Sequence, residues 1–494
     1  MVAYIWCATI KNVPPFGGQS QSEATMAGTR IEKDSLGTME VPEECYYGIQ
    51  TLRAVQNFCI TQIPISHYPR FLYSLAFIKK AAAAANASLG LLDQEMSMAI
   101  SRACDDILDD KLHDQFVVDV IQGGAGTSAN MNANEVIANR TLELMGYEKG
   151  RYDIVSPNTH INMSQSTNDV YPTALRITLI LKIRVLIEEL EKLARAFEAK
   201  RDEFSDVLKI GRTQLQDAVP MTLGQEFGAW GVTMREDMQR LAEAQSLVHE
   251  INLGGTAIGT GLNAHPDYRR SVTEYLTAMS ALPLISATDL VEATQDTGAY
   301  VQLSGVCKRV AVKLSKICND LRLLSSGPRC GLNEINLPPM APGSTIMPGK
   351  VNPVIPEVVN QVAFTVVGGD ITVTMAAEAG QLELNVMEPV IAHTLFNNLD
   401  MLRRACSTLR ERCVMGITAN REHCRRMVEN SIGLATALNP YIGYERSAEV
   451  AKEALASGRT VAEIVLEKGI LSQEELDDIL KPESMTAPRQ FRSS

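Results

Sequence analysis

Between residues 173 and 210 the chain has neither glycine nor proline, and this one window constrains the fold more than any other feature. Read as a single helix it spans roughly 57 Å at ~1.5 Å per residue. Asn168, Asp169 and Pro172 supply start signals and Gly211 a stop. Its first half carries Leu175, Ile177, Leu179, Ile180, Leu181, Ile183, Val185, Leu186 and Ile187, so it is apolar nearly all round. Such a helix must be buried on several sides. Further breaker-free windows at 232–253, 306–326 and 390–415 predict a bundle of long helices that packs against the bundles of other subunits. The expected fold is therefore mainly α, with a central long-helix bundle.

Composition narrows the class. Lys and Arg number 46 against 58 Asp and Glu, a net charge of −12, which argues against a nucleic-acid binder held by phosphates. With 45% apolar residues the chain is too hydrophobic to be disordered. The most apolar stretch, 174–190, is broken by Arg176, Lys182 and Arg184, so no membrane span is expected. Aromatic residues are only 5%, which favours helix over sheet. The ten cysteines are scattered singly with no C-x-x-C pair, as in a cytoplasmic protein with reduced, mostly buried thiols. Seven dispersed histidines and no H-E-x-x-H give no metal site.

Three domains are expected. Residues 1–25 lack a basic n-region and an apolar h-region and are read as a dispensable extension ahead of Met26. Residues 26–165 form an N-terminal domain, 166–420 the helical bundle, and 421–494 a small helical C-terminal domain. In the last, Thr460 with Glu463 and Ser472 with Glu475 read as capping boxes.

Four polar segments interrupt this apolar frame. Residues 123–132 (GGAGTSANMN) lack the lysine of a phosphate loop; a turn-plus-cap and an anion site of backbone N–H groups with Thr127 both remain open. Residues 165–172 (QSTNDVYP) hold more hydroxyls and amides than one helix cap needs, enough to hold a carboxylate at the positive end of the long helix. Residues 211–220 (GRTQLQDAVP) read as a polar loop near an end of the bundle, either simply solvated or part of a site. In residues 343–353 (GSTIMPGKVNP) glycine and proline shape a loop around two hydroxyls, a lysine and an asparagine; alone it is also a plain surface loop.

Together the four segments resemble the conserved blocks of the fumarase/aspartase superfamily. Residues 343–352 match its signature G-S-S-x-M-P-x-K-x-N, with Thr345 for the second serine. The likeness runs from about residue 29 to 480, and blocks 124–128, 354–362 and 375–387 resemble the aspartases more than the fumarases. It implies reversible anti elimination of ammonia from L-aspartate, giving fumarate, with no organic cofactor. Some members respond to divalent cations such as Mg2+; no motif here carries such a site. Ser344 is the implied base. Thr127, Ser166, Thr167 and Thr345 would hold the β-carboxylate as it becomes a dianionic aci-carboxylate, and Lys350 and Asn352 the α-carboxylate. Asn168 and Thr213 would hold the amino group, with Gln214 beside it, and Arg53 matches a family arginine near the site. Gly343, Met347, Pro348 and Gly349 would let the loop close over substrate. A homotetramer whose active sites are each built from three subunits is implied too. Within the same superfamily the alternatives are a fumarate hydratase and a non-catalytic structural relative; a nucleotide-binding regulator would rest only on glycines 123–128 and 254–261. Fumarases place histidine where this chain has Gln214.

Overall fold

The computed structural model describes residues 28–488, so the expectation for residues 1–25 lies outside it. Helices dominate. The five longest are Thr167–Glu203, Leu223–Ser246, Gly298–Leu324, Val354–Glu378 and Glu388–Arg412. Among the described residues the β-structure is limited to two isolated bridges and two-stranded ribbons, such as Thr29–Asp34 with Gly37–Pro42 and Leu208–Thr213 with Gln216–Thr222, both antiparallel.

The chain gathers into two compact units, neither continuous in sequence. The first takes the described part of Met1–Arg184 with Leu241–Val306 and Gly368–Leu399. The second takes Val185–Arg240, Cys307–Val367 and the described part of Asp400–Ser494. Both draw on the stretch 166–420 read from sequence as the bundle. In the first unit, Phe71 stacks edge-on against Tyr171 and tilts against Phe396. In the second, Phe197, Phe204, Phe227 and Trp230 form one aromatic cluster.

The helix expected at 173–210 runs instead from Thr167 to Glu203. Its start moves back because Pro172 costs little there. Proline removes the donor that would reach the carbonyl of Asn168, and the Asn252 side-chain amide supplies one at 3.0 Å. Its end moves back because residues 208–213 pair with 216–222 as a ribbon, an interaction that outweighs local helix propensity. All-round burial holds for the first turns: every residue from 169 to 180 is buried.

The C-terminal part of the second unit has its own small core of Val428, Leu438, Val450, Ile464 and Ile479, and Ile210 of the ribbon packs into it. Both capping boxes form, Thr460 with Glu463 and Ser472 with Glu475, each closed by reciprocal bonds. Among the described residues one helix, Val354–Glu378, is long and apolar enough to cross a bilayer by length and composition. The sequence reading took 174–190 as the most apolar stretch and did not single this one out. Its buried Asn360 bonds to Ser315, and its buried Asp370 accepts from Ser304 at 2.7 Å, contacts typical of a bundle helix.

Candidate active site

In the first unit two helix N-termini meet. Gly124, Ala125 and Gly126 all have positive φ and turn the chain into the helix Thr127–Leu144. Glycine is required at 126, since a Cβ there would lie 2.1 Å from the ring of Tyr171, one turn into the long helix. That packing sets Thr127 beside the segment 166–168. The Thr127 hydroxyl donates to Gly124 O at 2.7 Å and remains exposed. The Thr167 hydroxyl accepts from Asn130 at 3.1 Å. Asn168 donates its amide to Ala257 O at 2.7 Å, which leaves its side-chain carbonyl an acceptor without a partner among the described residues. Two positive helix ends and these hydroxyls suit a carboxylate.

What holds the segment in place was not read from the sequence. Asp169, fully buried, accepts from the backbone N–H groups of Ser166, Gly254 and Thr256 at 2.9, 3.0 and 3.0 Å. Burial pushes its carboxyl up to about 7, against the pull of those bonds and of Lys79. Lys79, also fully buried, sends its ammonium to the side-chain carbonyls of Asn130, Asn162 and Gln165 at 2.7, 3.0 and 3.0 Å. Burial lowers it to about 7, with Asp169 opposing. Lys79 was legible in one respect: on the helix Pro69–Ser88 it lies seven residues after Leu72, on the buried stripe, where a lysine needs a reason.

Arg53 stands on the helix Ile49–Asn57, whose N-terminus is capped from outside by Glu135. That carboxylate accepts from the N–H groups of Gly48, Gln50 and Thr51 and from the Thr51 hydroxyl at 2.6–3.1 Å. Burial raises it to about 7 in spite of those bonds. The Arg53 guanidinium is bidentate to Asp34 at 2.7 and 3.0 Å, which holds the Asp34 carboxyl low. Both line a cavity of about 490 Å3 with Gln50, Asn57, Ser128 and Glu135; Thr127, Ser166, Thr167 and Asn168 are not in its wall.

The second unit carries the other expected residues. Residues 211–220 are not a loop but most of a hairpin, whose polar sequence hides the pairing. Gln214 and Leu215 form its two-residue tip, both with positive φ (55° and 61°). For residues other than glycine this conformation costs about 1–3 kcal/mol each, and Thr213, Gln214 and Leu215 all project into solvent. In the 343–353 loop the Ser344 hydroxyl oxygen accepts from the N–H groups of Ile346 and Met347 at 3.2 and 2.9 Å. Asn352 donates to Gly343 O at 2.6 Å and closes the loop's neck. Gly343 must be glycine, since a Cβ would meet Lys350 O at 1.9 Å. Thr345, Met347, Pro348, Gly349 and Lys350 are exposed. Among the described residues no hydrogen bond or ion pair joins the hairpin tip to this loop, and no cluster of three His, Cys, Asp or Glu could hold a metal.

A sequence profile described as "Lyase" matches residues 37–368, and one described as "Fumarase C C-terminus" matches 434–487. The chain belongs to this lyase family, which embraces the aspartate ammonia-lyases and the fumarases. It is 61% identical over 465 residues to an aspartate ammonia-lyase of Pseudomonas aeruginosa, covering 94% of this chain and 98% of that one. Against the Escherichia coli aspartate ammonia-lyase it is 54% identical, covering 93% and 96%. Among solved structures, a fumarate lyase:delta crystallin from Brucella melitensis bound to cobalt superposes with a TM-score of 0.92 at 57% identity, covering 93% of this chain and all of that one. A class II fumarase from Schistosoma mansoni gives 0.90 at 36% identity, covering 94% and 100%. The lyase family thus accounts for the helical fold of both units.

Proposed function

We propose that this chain is an ammonia-lyase converting L-aspartate reversibly to fumarate and ammonia. Support comes from the 54–61% identity to aspartate ammonia-lyases, set against 36% to a fumarase. The observation that carries the chemistry is the pair of backbone N–H groups aimed at the Ser344 hydroxyl oxygen. A serine hydroxyl is ordinarily too weak an acid to act as a base, and donors fixed on its oxygen favour the alkoxide. Ser344 takes the proton from C3, and the electron pair moves into the adjoining β-carboxylate. Thr127, Ser166, Thr167 and Thr345 stabilise the resulting aci-carboxylate through preorganised donors. The pair then returns to form the double bond as the C2–N bond breaks and ammonia departs. Lys350 and Asn352 hold the α-carboxylate, and no organic cofactor takes part. Arg53 is committed to Asp34 and is given no part in these steps.

Gln214 fits ammonia rather than water as leaving group. Water has a pKa of about 15.7, so a departing hydroxide needs an acid. An α-amine, with a pKa of about 8, is already ammonium and leaves as neutral ammonia. The site then needs acceptors, which Gln214, Thr213 and the open carbonyl of Asn168 offer.

The active assembly is a homotetramer with shared sites, working in the cytoplasm. On one face of the helix Val354–Glu378 an apolar stripe supports the assembly: Phe364, Ile371 and Met375 are 67, 61 and 67% exposed. Ultraviolet absorbance of fumarate formed from L-aspartate and from L-malate tests the reading. We expect efficient deamination and negligible dehydration; comparable kcat/KM for the two would return the chain to the hydratases.

A further inference from the structure

Behind the exposed hairpin tip lies a set of four charges, two buried and two half-buried, that the proposed chemistry does not use. Lys209 Nζ lies 2.5 Å from Glu226 and 2.9 Å from Glu334, and Arg212 Nη1 lies 2.5 Å from the other oxygen of Glu334. The side chains of Glu334 and Lys209 are 0 and 3% exposed. Two carboxylates face two cations in a dry setting, where ion pairs are least screened.

Lys209 and Arg212 have opposite parity along their strand, so a regular ribbon would point them to opposite faces. This ribbon is irregular. Its register slips between Ile210 and Arg212, so that Ala218 and Val219 together stand opposite Gly211. Such a bulge adds twist, and a glycine is needed at 211 because a Cβ would lie 2.9 Å from Val219 O. Both cations then reach one carboxylate. Glu334 is itself fixed: its N–H donates to Leu324 O and its carbonyl accepts from Asn420 N, each at 2.9 Å. Arg212 directly precedes Thr213 and Gln214, whose own side chains are exposed.

From this geometry we infer that Glu334 is a positioning residue for the leaving group: gripping Arg212 and Lys209, it sets the direction in which the hairpin presents Thr213 and Gln214 to ammonia. This rests on the proposed function. It goes beyond it in assigning a fully buried carboxylate, which reaches the hairpin through Arg212 and Lys209, to one half of the reaction only.

The test runs the reaction in reverse, adding ammonium to fumarate, with each substrate varied at saturation of the other. Removing one partner leaves a buried charge unpaired and endangers folding. The informative variants are therefore the double Arg212→Gln/Glu334→Gln, which leaves Lys209 balanced by Glu226, and Arg212→Lys, which keeps a cation for Glu334. In the double variant the KM for ammonium should rise at least about tenfold while that for fumarate stays within about twofold, and Arg212→Lys should recover most of the difference. Thermal melts and gel filtration monitor folding. Two unchanged KM values with kcat reduced in step with the folded fraction would reduce Glu334 to a structural residue and overturn the inference, as would an equal rise in both. A parent enzyme that forms no aspartate from fumarate and ammonium would instead sink the proposed function, and this assignment with it.

Discussion

The residues expected around substrate fall into two groups built in opposite ways. In the first unit, Thr167 and Asn168 open a long helix and rest on a buried floor of Asp169, Lys79 and Asn130 with the half-buried Asn162, each with its polar atoms bonded to neighbours. In the second, Gln214 sits on a strained hairpin tip with Thr213 just before it, and Ser344 on a loop closed at its neck by Asn352. The first group is a fixed cradle; the second presents its groups to solvent on short protrusions. A carboxylate gaining charge in the transition state is best met by donors that need not reorganise. A base and a leaving-group holder must let substrate in and product out. The contrast in construction follows the contrast in task except at Asn168, a leaving-group acceptor in the cradle, and Thr345, a carboxylate donor on the exposed loop.

That contrast can be broken by substitution. The largest effect is expected from Ser344→Ala. Its kcat should fall by about a thousandfold or more while the melting temperature stays put, because the loop adds little to the core. Near-normal turnover would remove Ser344 from the base role. Asp169→Asn should do the reverse and strike stability first. An amide turned toward three backbone N–H groups cannot satisfy all of them, and the loss should be on the order of 2–4 kcal/mol in chemical denaturation. A melting curve unchanged from the parent would show that the cradle does not depend on its floor.

The smallest effect concerns pH. In the first unit Glu388 is fully buried, and burial raises its carboxyl to about 8, with Arg176 pulling the other way. An acid whose folded-state value is raised binds its proton more tightly in the folded chain. Its contribution is therefore full below the unfolded value near 4.5 and is lost as pH climbs through about 8. Glu388→Gln removes that dependence, so its melting temperature relative to the parent should improve by a few degrees between pH 5.5 and 8.5. A difference that is flat or moves the other way would show that Glu388 is ionised throughout.

Much of the fold was written in periodicity. Each glycine- and proline-free window became a long helix, and the two capping boxes formed at Thr460 and Ser472 because a hydroxyl and a carboxylate three residues apart need nothing from the rest of the chain. Boundaries were less legible. Pro172 reads as a helix start unless one knows that Asn252, eighty residues on, replaces the missing donor and lets the helix begin at Thr167. The hairpin at 208–222 was invisible because its polar strands pair with one another and not with an apolar sheet. In the site, the polar segments stood out by composition, whereas Asp169 and Glu334 matter through partners distant in sequence, and of Lys79 the local pattern announces only its burial.

The cysteines have a practical consequence. Cys104, Cys406, Cys413 and Cys424 are buried, and burial pushes their thiols up to about 12. Reagents that attack thiolates will pass them by in the native chain. Among the described residues only Cys59 and Cys330 are exposed, against seven buried. The protein therefore carries its own label for opening: brief alkylation followed by peptide mass spectrometry reads each unit separately, through Cys45 and Cys104 in the first and Cys413 and Cys424 in the second. The order in which these sites gain label on heating would report which unit loosens before the other, with no engineered probe.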